Sequence, residues 1–198
     1  MDNKQFNERR FNRKKQKYRF LLGIQQLVNY PLLNILWVLF AVGVVLLTIG
    51  EKKLVENIEV YPMFEEIFST CMMIILIVFP VICAVGLIQF IGKCFAVKDE
   101  ASIDLVFGSK GIAQKQPPIL VYKKKDRKSG VVQREFYTIE PMKKWQENKE
   151  AICDVLNCYM LGEMTYGGRK KNKGQRIYFE STKGRKPKER GILYDDSF

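Results

Sequence analysis

The sequence predicts a two-helix transmembrane anchor followed by a small cytoplasmic α+β domain. Three observations predict it: two long stretches without a charge, a charge balance that changes sign across them, and a C-terminal half where short β-type runs flank one helix-type run. The chain has 198 residues, with 33 Lys+Arg against 21 Asp+Glu, a net charge of +12 and no histidine. Its mean hydropathy of −0.14 averages a strongly apolar part and a strongly basic one. Without histidine, these residues offer no His-based zinc site, no Ser-His or Cys-His nucleophile pair and no imidazole pH switch.

The first apolar stretch, 31–50, is twenty residues without a charge, and the second, 67–92, is twenty-six. A hydrocarbon core about 30 Å thick needs roughly 20 helical residues, so both are long enough to cross it. The alternative, two buried helices in a soluble protein, leaves too little other apolar mass to surround them. Pro80 falls inside the second stretch, where it removes one backbone donor and predicts a modest kink. Thirty residues precede the first stretch, its apolar run is long, and no small-residue cleavage pattern clearly follows it. The expectation is a retained anchor rather than a signal peptide.

Charge sets the expected orientation. Residues 1–30 carry a net +6, the connector 51–66 a net −3, and residues 93–198 a net +9. Basic flanks stay on the cytoplasmic side, which predicts a multi-pass protein of the bacterial cell membrane with both termini inside and the acidic connector outside. The five cysteines all lie outside that connector and form no CxxC pair, so free thiols are expected, with no disulfide and no metal.

The first thirty residues form a basic arm in which Arg9, Arg10, Arg13, Lys14, Lys15 and Lys17 are interleaved with aromatic side chains. Such an arm suits anionic lipid headgroups, each basic residue contributing about 1 kcal/mol near the surface. It also suits nucleic-acid phosphates, or it simply supplies the positive-inside signal. Leu21 to Tyr30 has the spacing of an interfacial helix.

In the C-terminal part, 101–112 reads as a linker whose Ile103, Leu105, Val106 and Phe107 touch something apolar. Ile119–Tyr122 and Val131–Thr138 read as two strands of a hairpin around a polar loop. Glu140-Pro141 opens a helix expected to run to Gly162. Its apolar face carries Trp145, Ile152, Leu156 and Tyr159 as module core. Arg176–Ser181 reads as a third strand between two basic clusters. Lys170, Lys171 and Lys173 precede it, and Lys183, Arg185 and Lys186 follow. If these clusters are neighbours they make one positive rim for nucleic acid or an anionic surface; otherwise they are a solvated face.

No GxxxxGK[ST] phosphate loop occurs in these residues, and the acids are scattered singly. No catalytic residue is named, and no cofactor is implied.

The order Leu105, Phe107, Gly111, then Pro118–Tyr122, the helix with Trp145, Ile152, Leu156-Asn157 and downstream Gly162, the strand at Ile177–Phe179 and the run Gly191–Asp196 resembles a known family. With the two apolar stretches, it is similar over residues 20–196 to the N-terminal region of FtsK/SpoIIIE-type DNA translocases of conjugative elements, the TcpA-like coupling proteins. In that family a membrane anchor and a small α+β region precede the motor. No ATPase residue carries over, because no phosphate loop or magnesium-binding acid has a matching position here. The resemblance therefore implies an anchoring or assembly module: a split gene product, a truncated relative or an accessory subunit. Its expected partners are membrane lipid and proteins of a DNA-transfer machine, with weak non-specific DNA contact and self-association compatible with the pattern. Two other classes compete with this expectation. One is a direct DNA- or anionic-lipid-binding membrane protein; the other is a small transporter or channel-like subunit, against which the absence of charge within the spans argues.

Overall fold

The computed structural model describes residues 3–57, 61–108 and 116–184, and these divide into two units, 1–97 and 98–198. The first unit is helical. Helix α1 spans Asn3–Asn29, α2 spans Ile35–Asn57, and α3 spans Glu65–Gly108, its residues from Lys98 onward belonging to the second unit. Two apolar helices are thus long enough to cross a membrane. Each is introduced by a short 3₁₀ turn that opens on a proline, Pro31 and Pro62, where the missing N–H costs nothing. Helix α3 continues through Pro80.

The arm is helical throughout its described length rather than only from Leu21. Arg19, Leu22, Gly23 and Gln26 recur at helical spacing and are buried, as are Ile91, Gly92 and Ala96 on α3. Two glycines allow this approach. A Cβ on Gly23 would overlap the Ile88 carbonyl, and one on Gly92 would overlap the Arg19 carbonyl. Tyr30 stacks on Phe95 beyond them, with ring centroids 5.6 Å apart. On α2 and α3 the threonine hydroxyls bond within their own helix: Thr48 Oγ1 donates to the Val44 carbonyl at 3.0 Å and Thr70 Oγ1 to Glu66 at 2.9 Å.

The second unit is a small antiparallel sheet with helices on one side. Strands β1 (Ile119–Lys125) and β2 (Val132–Tyr137) form the expected hairpin, and β5 (Arg176–Lys183) pairs with β2. Two further strands escape the sequence pattern, β3 (Cys158–Met160) and β4 (Thr165–Tyr166), both antiparallel to β5. The path is β1-β2-β5-β3, with β4 also on β5.

The helix expected from Glu140 to Gly162 is two short ones, α4 (Met142–Glu147) and α5 (Lys149–Leu156). Asn148 leaves helical geometry at φ −97°, ψ 14°, and its side-chain amide donates to the Lys144 carbonyl at 2.8 Å in competition with the backbone ladder. Asn157 then ends α5 in the left-handed region, φ 46°. Tyr159 therefore lies in a strand, and the apolar run that reads as one helical face is divided between a helix and a sheet edge.

The stretch expected as a linker at 101–112 is helical to Gly108; Gly111 lies outside the described residues. Of its four apolar residues, Ile103 and Phe107 are buried, whereas Leu105 is 72% exposed. Phe107 lies 4.9 Å from Trp145 between ring centroids, and Trp145 lies 5.7 Å from Phe136, which stacks on Phe179. Ile119, Leu120, Ile152 and Ile177 close this core. Glu100 ties α3 to the sheet by accepting a hydrogen bond from the Leu120 N–H at 2.9 Å.

Candidate functional site

The pleat of the sheet decides which charges meet. Register pairs Arg134 with Phe179 and Val132 with Ser181, on the face that carries the aromatic core, while Glu135 pairs with Tyr178 and Gln133 with Glu180 on the other. A register shift between Leu120 and Tyr122 in β1 brings Lys123 opposite Arg134 and Lys125 opposite Val132. One irregularity thus turns two lysines onto the helix-bearing side.

At that end of the sheet lies a cavity of about 390 Å³. Lys98, Lys123, Lys125, Arg134 and Lys183 line it, against a single carboxylate, Asp99. Asp99 is buried and serves two cations. Its Oδ2 accepts from Arg134 Nε at 2.9 Å and lies 2.8 Å from Lys123 Nζ. Arg134 Nη1 also donates to Ser181 Oγ at 2.6 Å. Cys158 lines the same cavity, and burial, ahead of the opposing effect of Arg134, pushes its thiol pKa up.

The first basic cluster occupies a turn before β5. Gly167 and Gly168 have φ of +96° and +73°, so the turn needs them. Buried Glu135 organises it: Oε2 accepts from the Arg169 N–H at 3.2 Å, and Oε1 from Arg176 Nη1 at 2.5 Å. A Cβ on Gly168 would fall 2.7 Å from that carboxylate. Lys171 and Lys173 donate backbone bonds to the Gly168 and Gly167 carbonyls, both at 3.0 Å. Lys170, Lys171 and Lys173 are therefore exposed on an ordered turn. Arg169 stacks on the Tyr122 ring at 4.4 Å. On the same face, Tyr178 donates to Glu180 at 2.5 Å, and burial together with that carboxylate raises its pKa.

Of the two expected clusters, the described residues hold the Lys170 turn and Lys183. Lys183 ends β5 and the Lys170 turn precedes it, so the strand separates them by roughly 20 Å at about 3.3 Å per residue. Lys183 instead joins the cavity, while Arg185 and Lys186 lie outside the described residues. The cavity lysines Lys98, Lys123 and Lys125 belong to no expected site; the one signal for Lys123 and Lys125 is the run of lysines after Tyr122, which reads as a loop. In the arm, Arg9, Arg10, Arg13 and Lys17 are exposed, and Lys14 and Lys15 are partly covered. Trp145 and Ile152 are fully buried, and Leu156 and Tyr159 half-buried at the core edge. Among the described residues, no group of three or more acidic or cysteine side chains is placed to hold a metal.

No protein-family model matches the chain, and no curated protein matches it. Among solved structures, the chain is similar to the pCW3 conjugation coupling protein TcpA in its monomer form with ATPgS, at 20% identity and a TM-score of 0.36. That match covers 44% of this chain and 24% of the other, so the chain spans about a quarter of that protein's length.

Proposed function

We propose that this chain is a non-catalytic, membrane-anchored component of a conjugative or DNA-translocation apparatus, acting through protein contacts of its C-terminal module. The observation that carries the anchor is the surface of α2 and of the first half of α3. Val38, Leu39, Val42 and Leu46 on one, and Ile74, Ile77, Val81 and Ile82 on the other, are exposed among charge-free neighbours. Water does not tolerate two such surfaces on a chain of this size, whereas hydrocarbon covers both. With +6, −3 and +9 on the three flanking parts, both termini face the cytoplasm. The resemblance of residues 20–196 to the anchor region of TcpA-like coupling proteins supports the link to DNA transfer, and the absence of a phosphate loop in these residues supports a role without catalysis.

A second reading, polyanion contact by the module itself, is favoured by one observation. Lys170, Lys171 and Lys173 stand exposed on an ordered turn and have no carboxylate partner among the described residues. Four phosphate contacts would give DNA binding a log–log salt slope of roughly −3 to −4.

Single cysteines placed at Lys53 and Lys171 in a cysteine-free background test the anchor. An impermeant maleimide on intact cells should label position 53 and spare 171; the reverse pattern refutes the orientation. Purified protein should show no ATP turnover above background, with or without DNA, and turnover that follows the protein and disappears in a targeted variant refutes the non-catalytic role.

A further inference from the structure

We infer that the cavity at the end of the module's sheet binds a small phosphate-bearing anion. Five cationic residues line it against one carboxylate, with Lys123 and Arg134 on Asp99 and Lys98, Lys125 and Lys183 at its exposed edge. Asp99 is already shared by Lys123 and Arg134, and Lys98, Lys125 and Lys183 have no carboxylate partner among the described residues. Like charges brought to one concave site repel each other, and an anion between them reverses the sign of that interaction.

The floor of the site is built in advance. Arg134 is 7% exposed, and its Nε and Nη1 are fixed by Asp99 and Ser181, so the guanidinium cannot turn away. Its remaining N–H donors have no partner among the described residues and are suited to phosphate oxygens. The lysines supply the outer charge. The cavity of about 390 Å³ lies within the range of small-ligand sites, roughly 300–1,000 Å³, and is far too small for a duplex. Charge of this density selects a multiply charged phosphate, free or carried on a lipid headgroup. The inference does not depend on the proposed role in DNA transfer.

The test uses the full chain, in a nonionic detergent and in nanodiscs. In detergent, pyrophosphate is titrated by calorimetry, and amide exchange is followed in the peptides holding Val132–Arg134 and Ser181–Lys183. Saturable binding with protection of both peptides is expected. The K98Q/K125Q/K183Q variant should weaken binding at least tenfold, the corresponding Lys→Arg variant should restore it, and K170Q/K171Q/K173Q should stay within twofold of the parent. Protection of the same peptides in phosphatidylglycerol nanodiscs but not in phosphatidylcholine ones, without pyrophosphate binding, assigns the phosphate to a headgroup. Protection in neither setting overturns the inference. So does binding that depends on the Lys170 turn instead of the cavity, since both triple variants leave the Asp99–Arg134 floor intact and should fold.

Discussion

Replacing Trp145 by alanine should destabilise the module by about 3–5 kcal/mol, the usual cost of a large aromatic truncation in a core. The structure allows that figure to be worked out. A buried indole removes about 150–250 Å² from water, and at roughly 25 cal/mol/Å² this is about 4–6 kcal/mol. Against it stands the indole Nε1–H, which is buried without a hydrogen-bond partner among the described residues, at a cost of about 1–2 kcal/mol. The difference, about 2–5 kcal/mol, overlaps that range. Phenylalanine at the same position separates the two contributions, because it keeps the contacts to Phe107 and Phe136 and deletes the stranded donor. Trp145→Phe should therefore cost less than about 1.5 kcal/mol. The assay is amide exchange of the β5 peptide in the full chain, where loss of 3–5 kcal/mol accelerates globally limited exchange roughly a hundred- to several-thousand-fold. An unchanged rate in Trp145→Ala would refute the core assignment. Equal damage from phenylalanine would refute the unpaired donor, since the N–H would then be making a bond that the ring alone cannot replace.

Three further outcomes follow from particular contacts. Glu135→Gln should cost about 1.5–3 kcal/mol by weakening the charged bonds to Arg176 and the Arg169 amide, and should speed amide exchange across Arg169–Lys173 before the rest of the sheet; uniform acceleration would show that the carboxylate does not organise the turn. Gly92→Leu should prise α1 from α3, raising tryptic cleavage near Arg19 tenfold or more, whereas Gly43→Leu, where a side chain meets nothing within 4 Å, should leave cleavage unchanged. Because burial raises the Cys158 pKa above its ordinary 9.0, its neutral thiol is favoured in the fold. That contribution is complete below the unfolded value and is lost as pH rises past 9.0, so the urea midpoint should fall more between pH 8 and pH 10 in the parent than in Cys158→Ala.

What the sequence discloses, and what it conceals, follows the range of the forces involved. Apolar runs of twenty and twenty-six residues, and the β1–β2 hairpin, are written in local composition and are legible without neighbours. The division of the expected helix is not, because Met142–Met160 keeps helical spacing throughout; what stops α5 is Asn157 in the left-handed region, followed by three residues whose backbone finds better partners on β5. A strand of three residues has no period of its own, and Cys158–Met160 becomes one only because Ser181–Lys183 offers an edge. Gly23 and Gly92 likewise look unremarkable in isolation, and acquire meaning only as a pair across two helices.

The same distinction governs the candidate site. Runs of basic residues draw attention to the Lys170 and Lys183 clusters, yet the Lys170 turn and Lys183 itself lie at opposite ends of one strand. The cations that do converge come from the last turns of α3, both edges of the hairpin and the end of β5, separated by up to 85 positions between Lys98 and Lys183. Their meeting rests on two features that no composition count registers: the register shift after Leu120, which turns Lys123 and Lys125 to the helix-bearing face, and Asp99, whose carboxylate holds Lys123 and Arg134 together. Removing Asp99 would leave the whole cluster without an internal counter-ion. A cavity that retains one carboxylate among five cations keeps its buried arginine in place and still presents a strong positive field, and that combination separates a prepared anion site from a solvated basic surface.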